Sequence, residues 1–530
     1  MRIRGICSAG IRAAIAAGFI ALAGGPALAQ QGIDIGGAHL DLQNAIETDW
    51  SLSTAAKNNQ FNDNAGYKGS GQKASTDGNT LNLAAFRLDT LANMRLSSSQ
   101  AEAFGLDNVE AFVHGRFWSD ITTFIDGHIP HVNMENNAQH YPGNGWQSAV
   151  FEKEYLLDAA EAYSDLRKGP LWLRLGKQQI VYGQEVGFQT LDQVDSLDLR
   201  RHSLFNYSGL EYSDARIATW SGRLTYDLGD ALADYTKMTS TRLTSWVSEF
   251  QPSVFLPAGS PYNTGFYAYQ PLVAGNGEAR ARHKLSYGGV IETNVLGVDL
   301  SANFYSHPAS WGTLGLQGFG VDPRVGAGPN QIFPGSPAGL VEILNRKYPR
   351  VFIYGGMASY MIQPIYEFPG ADIINGDLVR VSGTYTPNKA YLNTTKRVGE
   401  INMALDIEKN WRWTAALPSL YVLLEYNYRS RSNVFDQYLH LATNDDFRNF
   451  NLWYLDISQP LPMSRWQFVN FFGVEANQGG SYFYQPAVIF KPTSAQEYQV
   501  FWNFASGGND SNYGGSRFSD EIVARLIYKF

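Results

Sequence analysis

The chain has 530 residues, a formal net charge of −8, 14% aromatic residues and only 17% charged ones, against about a quarter charged in ordinary soluble domains. The acidic balance argues against nucleic acid as a partner, and a single cysteine, Cys7, excludes both a disulfide framework and a thiolate metal site. Beyond the amino terminus no run approaches the length of a transmembrane helix, which leaves a large secreted β-protein or a transmembrane β-barrel.

The first element is a targeting segment. Arg2, Arg4 and Arg12 form a basic region, residues 11–23 a short apolar core, and Ala27-Leu28-Ala29 the small-x-small pattern that predicts cleavage after Ala29. Residues 1–29 are therefore read as a signal peptide and residues 30–530 as one barrel domain. The stretch "GAHLDLQNAIETDW" is a candidate first strand. The polar, Gly-containing insert 54–80 follows it. The loop "GHIPHVNMENNAQH" then holds His128, His131, Glu135 and His140. Their spacing admits a metal but is loose, and a solvated loop fits it better.

The central block "LLDAAEAYSDLRKGPLWLRLGKQQIVYGQEVGFQTLDQVDSLDLRR" is the most distinctive. If Leu171, Leu173 and Leu175 face lipid, Trp172 and Arg174 face inward; an arginine on the lipid side would cost about 2–4 kcal/mol at the midplane. Arg174, Lys177, Arg200 and Arg201 are thus candidate lumen-lining cations. Asp158, Glu161 and Glu185 are candidate acidic partners across the pore. Such charges either brace the wall or select the solute. Downstream, "SWVSEFQPSVFLPAGSPY" offers Trp246, Phe250 and Phe255 as a candidate constriction in a loop folded into the lumen. The insert 307–349 is an outside loop or a plug.

Alternation recurs to the end of the chain. "VDLSANFYSH", "INMALDIEK" and "EYQVFWNFAS" place apolar residues at every second position, the period of a strand with different surroundings on its two faces. "NVLG", "DLGD" and "ASGGNDSNYGG" supply the turns. The last residues, "EIVARLIYKF", read as a closing strand with Ile522, Ala524, Leu526 and Tyr528 toward lipid, pairing with the first strand so that no edge stays open. The fold class expected is all-β: a single transmembrane antiparallel β-barrel of about 14–18 strands with long extracellular or lumen-folded loops.

Glu161-Ala162-Tyr163, Arg174-Leu175-Gly176-Lys177-Gln178, Tyr182-Gly183-Gln184-Glu185, Val194-Asp195 and Asp198-Leu199-Arg200-Arg201 together resemble the domain-of-unknown-function 1302 family of Gram-negative outer-membrane proteins. The order of the later blocks is similar to the family as well. Tyr182 stands where the family often has Trp, and Val194 where it often has Pro. The resemblance implies an outer-membrane barrel, export through the periplasm, and a terminal Phe530 that serves as an assembly signal. It also implies hydrophobic or lipid-like cargo and periplasmic or envelope partner proteins.

No nucleophile elbow, H-E-x-x-H, P-loop or dinucleotide fingerprint occurs. The expectation is a non-enzymatic, porin-like channel or binding barrel without a cofactor, in contact with outer-membrane lipid and a small-molecule solute. The alternatives are an outer-membrane enzyme whose site is assembled from separate strands, and a structural or sheath barrel holding a partner.

Overall fold

Residues that alternate along the sequence alternate across a wall. A computed structural model of the chain describes residues 31–54, 81–121, 148–151, 155–183, 190–197, 215–253, 284–321, 340–362, 376–391, 394–412, 414, 417–433, 436, 439, 449–462, 465–477, 480–508, 511, 513 and 520–530. The strands are β1 (Gln31–Ile35), β2 (Ala38–Ser53), β3 (Leu81–Leu96), β4 (Asn108–Asp120), β5 (Ser148–Phe151), β6 (Tyr155–Lys168), β7 (Leu171–Gln178) and β8 (Thr219–Gly229). There follow β9 (Met238–Glu249), β10 (Leu285–Val295), β11 (Val298–Pro308), β12 (Thr313–Val321), β13 (Leu340–Lys347), β14 (Arg350–Met361) and β15 (Leu378–Ala390). The last are β16 (Arg397–Trp411), β17 (Leu420–Arg429), β18 (Phe450–Pro460), β19 (Trp466–Glu475), β20 (Ser481–Thr493), β21 (Gln496–Ser506) and β22 (Glu521–Lys529). Two short helices, α1 (Ser98–Ala103) and α2 (Ala233–Thr236), sit in turns.

Each wall strand pairs antiparallel with its neighbours, and β22 pairs back onto β2, with Ala45 opposite Lys529 and Ser53 opposite Glu521. The ring contains 18 strands. The extra strand β1 folds back on β2 through Gly36-Gly37, and β5 lies against β6. The seam ends where Asn44 and Phe530 exchange two backbone hydrogen bonds of 2.9 Å. Closure satisfies the backbone groups that an open edge would leave bare. The hairpin β12–β13 forms its own two-stranded sheet inside insert 307–349.

The two ends of the barrel differ. Turns such as Gly169-Pro170 and Leu296-Gly297 lie at the end that carries both termini of the ring, and the long inserts lie at the other. On the outer face Leu243, Val247, Ile401, Met403, Val500 and Ile522 are exposed, while Thr244, Ser248, Asn402, Gln499 and Val523 between them are buried toward the inside. Ile522 and Ala524 of the closing strand do face outward and Arg525 inward. Aromatic rings gather in two bands on the outer surface. Tyr426–Trp453 at 4.6 Å and Trp502–Phe504 at 5.3 Å stand near the long-loop end. Trp466–Phe490 at 4.3 Å and Phe490–Tyr498 at 6.1 Å stand near the short-turn end. An apolar band between two aromatic girdles is the outer surface of a transmembrane barrel.

Charge is kept inside and mostly paired. Arg525 reaches Asp49 at 2.6 Å, and Arg116 forks onto Asp158 at 3.1 and 2.8 Å. Near the long-loop end β18–β20 carry an inner aromatic patch of Phe450, Tyr454, Phe471 and Phe483, on which Tyr513 from the β21–β22 loop stacks.

Candidate functional site: a segment across the lumen

Strand β7 ends at Gln178 and β8, its neighbour in the wall, starts at Thr219. The chain between them does not take the short route. Its described residues 179–183 and 190–197 lie inside the barrel and reach across it. Ile180, Tyr182, Leu191 and Val194 form one buried cluster with Trp246 of β9, Val290 of β10, Tyr305 of β11, and Val351 and Ile353 of β14. Ile180 and Leu191 are almost wholly buried, and each contributes about 1.5–3 kcal/mol by leaving water. Gly355 on β14 admits this contact: a Cβ there would lie 2.9 Å from Leu191 Cδ2 and 2.3 Å from Asn303 Oδ1.

Hydrogen bonds fix the crossing. Tyr305 donates its hydroxyl to the Leu191 carbonyl at 2.8 Å. Gln193 donates to the Thr190 carbonyl at 2.7 Å and to Thr384 Oγ1 of β15 at 3.4 Å. Thr190 reaches Asn427 on β17, nearly half-way round the ring from β7. The returning arm is tied down where Ile217 N donates to the Ser196 carbonyl at 2.8 Å and where Arg216 meets Asp192 at 2.6 Å. Ser196 donates to the Gln251 carbonyl just beyond β9. Asp195 accepts the Ile180 N–H at 2.7 Å. Burial pushes its carboxyl well above the ordinary range and the charge of Asp192 adds to this, while the Ile180 N–H and Arg216 oppose it. Burial likewise raises the Tyr182 phenol.

The residues singled out in the sequence fall in different places. Arg174 lies on the inner side of β7, forked onto Asp165 at 2.7 and 2.8 Å and stacked 3.9 Å over the Tyr163 ring. Trp172 donates to the same Asp165 at 2.8 Å. Its acidic partner is thus Asp165 on the adjacent strand, not Asp158 or Glu161 across the pore. Asp158 takes Arg116, and Glu161 accepts the Gln179 N–H at 3.2 Å. Lys177 is buried in the wall with its ammonium on the Ala159 carbonyl; its register partners are Ala162 and the outward-facing Trp220. Trp246 belongs to strand β9 rather than to a loop, and its ring lies inward over Gly288. Phe250 packs on Tyr348, ring centroids 5.8 Å apart, at the rim. Glu185, Arg200, Arg201, Phe255, the His128–His131–His140 loop, and the signal segment with Ala29 lie outside the described residues. Among the described residues no cluster of three or more metal-ligating side chains occurs.

Two features were not singled out. Arg223 of β8 faces inward opposite both Arg174 and Trp246; the flanking outward residues Leu224 and Tyr226 carry the signal that places it. The lumen crossing itself depends on contacts with strands far along the chain, for which a local pattern holds no signal.

A closed wall with girdled aromatics and a strand-to-strand connection folded through its lumen defines a transmembrane β-barrel with a narrowed interior. By sequence the chain matches the family described as "Protein of unknown function (DUF1302)" over residues 10–279, and it belongs to that family. No curated protein matches the chain by sequence. Among solved structures it is similar to OccAB3 of Acinetobacter baumannii, with TM-score 0.48 and 7% identity over 93% of this chain and 99% of that one. It is also similar to Salmonella typhi OmpF in complex with daunomycin, with TM-score 0.39 and 9% identity over 94% and 100%. A third is Escherichia coli Wzi, a carbohydrate-binding barrel involved in group 1 capsule assembly, with TM-score 0.43 and 8% identity over 92% and 84%.

Proposed function

We propose that this chain is an outer-membrane, porin-like barrel that passes or binds a small hydrophobic or amphipathic solute, without catalysis. The observation that carries the reading is the placement of residues 179–183 and 190–197, which reach from β7 to Thr384 and Asn427 and lay an apolar surface into the lumen. An empty barrel of 18 strands would hold a wide aqueous pore. A crossing segment divides it into a narrower passage in which width, inward charge and aromatic contact select what enters.

In this reading residues 1–29 are removed on export and residues 30–530 form the barrel. Trp246 belongs to the constriction. Arg174, with Asp165, and Lys177 brace the wall, and Asp158 and Glu161 hold neighbouring groups in place. Partners are the lipid at the girdles, the solute, and periplasmic or envelope proteins at the short-turn end. Uptake of labelled small solutes by cells with and without the gene tests the reading. Faster entry of apolar or amphipathic solutes in the expressing cells is expected; equal entry for every solute would contradict it.

A further inference from the structure

On the inner wall most charged groups are matched, but Arg223 is not. Among the described residues no carboxylate stands within ion-pair distance of it; its guanidinium lies 5.6 Å from the Trp172 ring centroid, and its Nε is buried without a hydrogen-bond partner. The groups around it share that condition. The indole N–H of Trp246, opposite Arg223 in register, has no acceptor, and neither does the hydroxyl of Ser221, two residues back on the same face of β8. From the crossing segment the Tyr182 hydroxyl comes beside the Trp246 indole and within electrostatic reach of Arg223, but the hydroxyl and the indole N–H do not reach full hydrogen-bond geometry. Trp246 and Tyr182 are only 4% and 7% exposed.

Three buried donors beside a guanidinium whose own Nε is unpartnered form an unusual set. Each unsatisfied buried donor is costly, and an Arg fork with flanking N–H and O–H groups matches the two oxygens of a carboxylate. Nearby acids do not fill the role. Glu292 on β10 is exposed and lies opposite Arg242 in register. Asp195 is bound to the Ile180 N–H, and burial shifts it toward its neutral form. The same rings, Trp246 and Tyr182, belong to the apolar cluster with Ile180 and Val290, so an apolar surface adjoins the donors.

We infer that Arg223, Trp246, Ser221 and Tyr182 form a binding site for the carboxylate head of an amphipathic solute, at the junction of the crossing segment with β8 and β9. This rests on the reading of the barrel as a solute channel or binding barrel and names the class of solute.

Equilibrium dialysis of the full barrel in lipid nanodiscs, with labelled octanoate and 1-octanol as probes, tests it. The two differ in the head group, and the nanodisc lipid background is common to all variants. Wild type is expected to bind octanoate saturably and at least tenfold more tightly than octanol. Arg223→Gln is expected to weaken octanoate at least tenfold and leave octanol unchanged. Trp246→Phe, which keeps the ring and removes the N–H, should weaken octanoate several-fold, and heat-modifiable gel migration checks that each variant folds. Octanoate and octanol binding alike, with neither variant altering octanoate, overturns the carboxylate site while the solute barrel stands. Absence of saturable binding by either probe, together with absence of conductance by the wild type, overturns both.

Discussion

Thr190 donates its hydroxyl to the side-chain oxygen of Asn427 at 3.4 Å, across a sequence separation of 237 residues. Asn427 lies on the inner face of β17, so the contact requires the chain after β7 to traverse the barrel. Cys7 is the only cysteine, so introduced thiols are easily read in a Cys7→Ser background. Thr190→Cys with Asn427→Cys is expected to cross-link with a short bismaleimide and change gel mobility. Thr190→Cys with Leu424→Cys, on the outer face of the same strand, is expected not to. Equal yields from both pairs would place the segment elsewhere.

Gly176 has φ +138°, and a Cβ there would lie 2.3 Å from the Ala162 carbonyl oxygen and 2.6 Å from Tyr163 Cα. An alanine must strain the backbone and push β6 away, a cost of about 2 kcal/mol. It also disturbs the Tyr163 ring on which Arg174 stacks. Gly176→Ala is expected to lower the temperature at which the folded gel band converts to the unfolded one. An unchanged temperature would show that the wall yields at this point.

Arg116 and Asp158 are both buried and joined by two hydrogen bonds. Removing one partner takes these two charge-assisted hydrogen bonds from the buried charge that remains, and breaking a buried pair in this way costs about 3–5 kcal/mol. Asp158→Ala is expected to lower the same conversion temperature strongly, and the double change Asp158→Ala with Arg116→Met to recover much of the loss. A double variant no better than the single one would contradict the pairing.

The wall was largely legible in the sequence, and the interior much less so. Alternation at Ile401–Met403 and Ile522–Ala524 identifies lipid-facing residues because only an apolar side chain is stable there. The same logic turns Arg174 inward. It does not name Asp165 as the partner, since strand register decides that. Lys177 shows the limit from another side: strict alternation after Leu173 and Leu175 points it toward lipid and its charge points it toward the lumen, and the structure buries it on the Ala159 carbonyl within the wall. Trp246 reads as part of a loop because Gln251-Pro252 follows within a few residues; the cross-strand bonds to β8 and β10 make it a strand residue. The crossing segment lies in the most distinctive block of this sequence, yet its route is set by Tyr305, Thr384 and Asn427, all more than a hundred residues downstream.

Asp520 precedes β22 at the long-loop end and accepts the Ala505 N–H at 2.8 Å. Burial lifts its carboxyl to about 7, with Glu521 adding to the rise and the Ala505 hydrogen bond opposing it. An acid raised in the fold favours the fold when protonated. Its contribution is complete below the unfolded value of about 4 and is lost as pH climbs to 7. Apparent melting temperature is therefore expected to fall between pH 4 and 7 by a component absent from Asp520→Asn, which keeps the acceptor. Parallel profiles for the two proteins would contradict this.

The central claim is that the segment after β7 narrows the lumen. Single-channel conductance in planar bilayers measures that directly, comparing the wild type with a variant in which residues 184–195 are replaced by a short Gly-Ser linker. The crossing segment predicts a several-fold larger conductance in the variant. Equal conductance in the two proteins would contradict it.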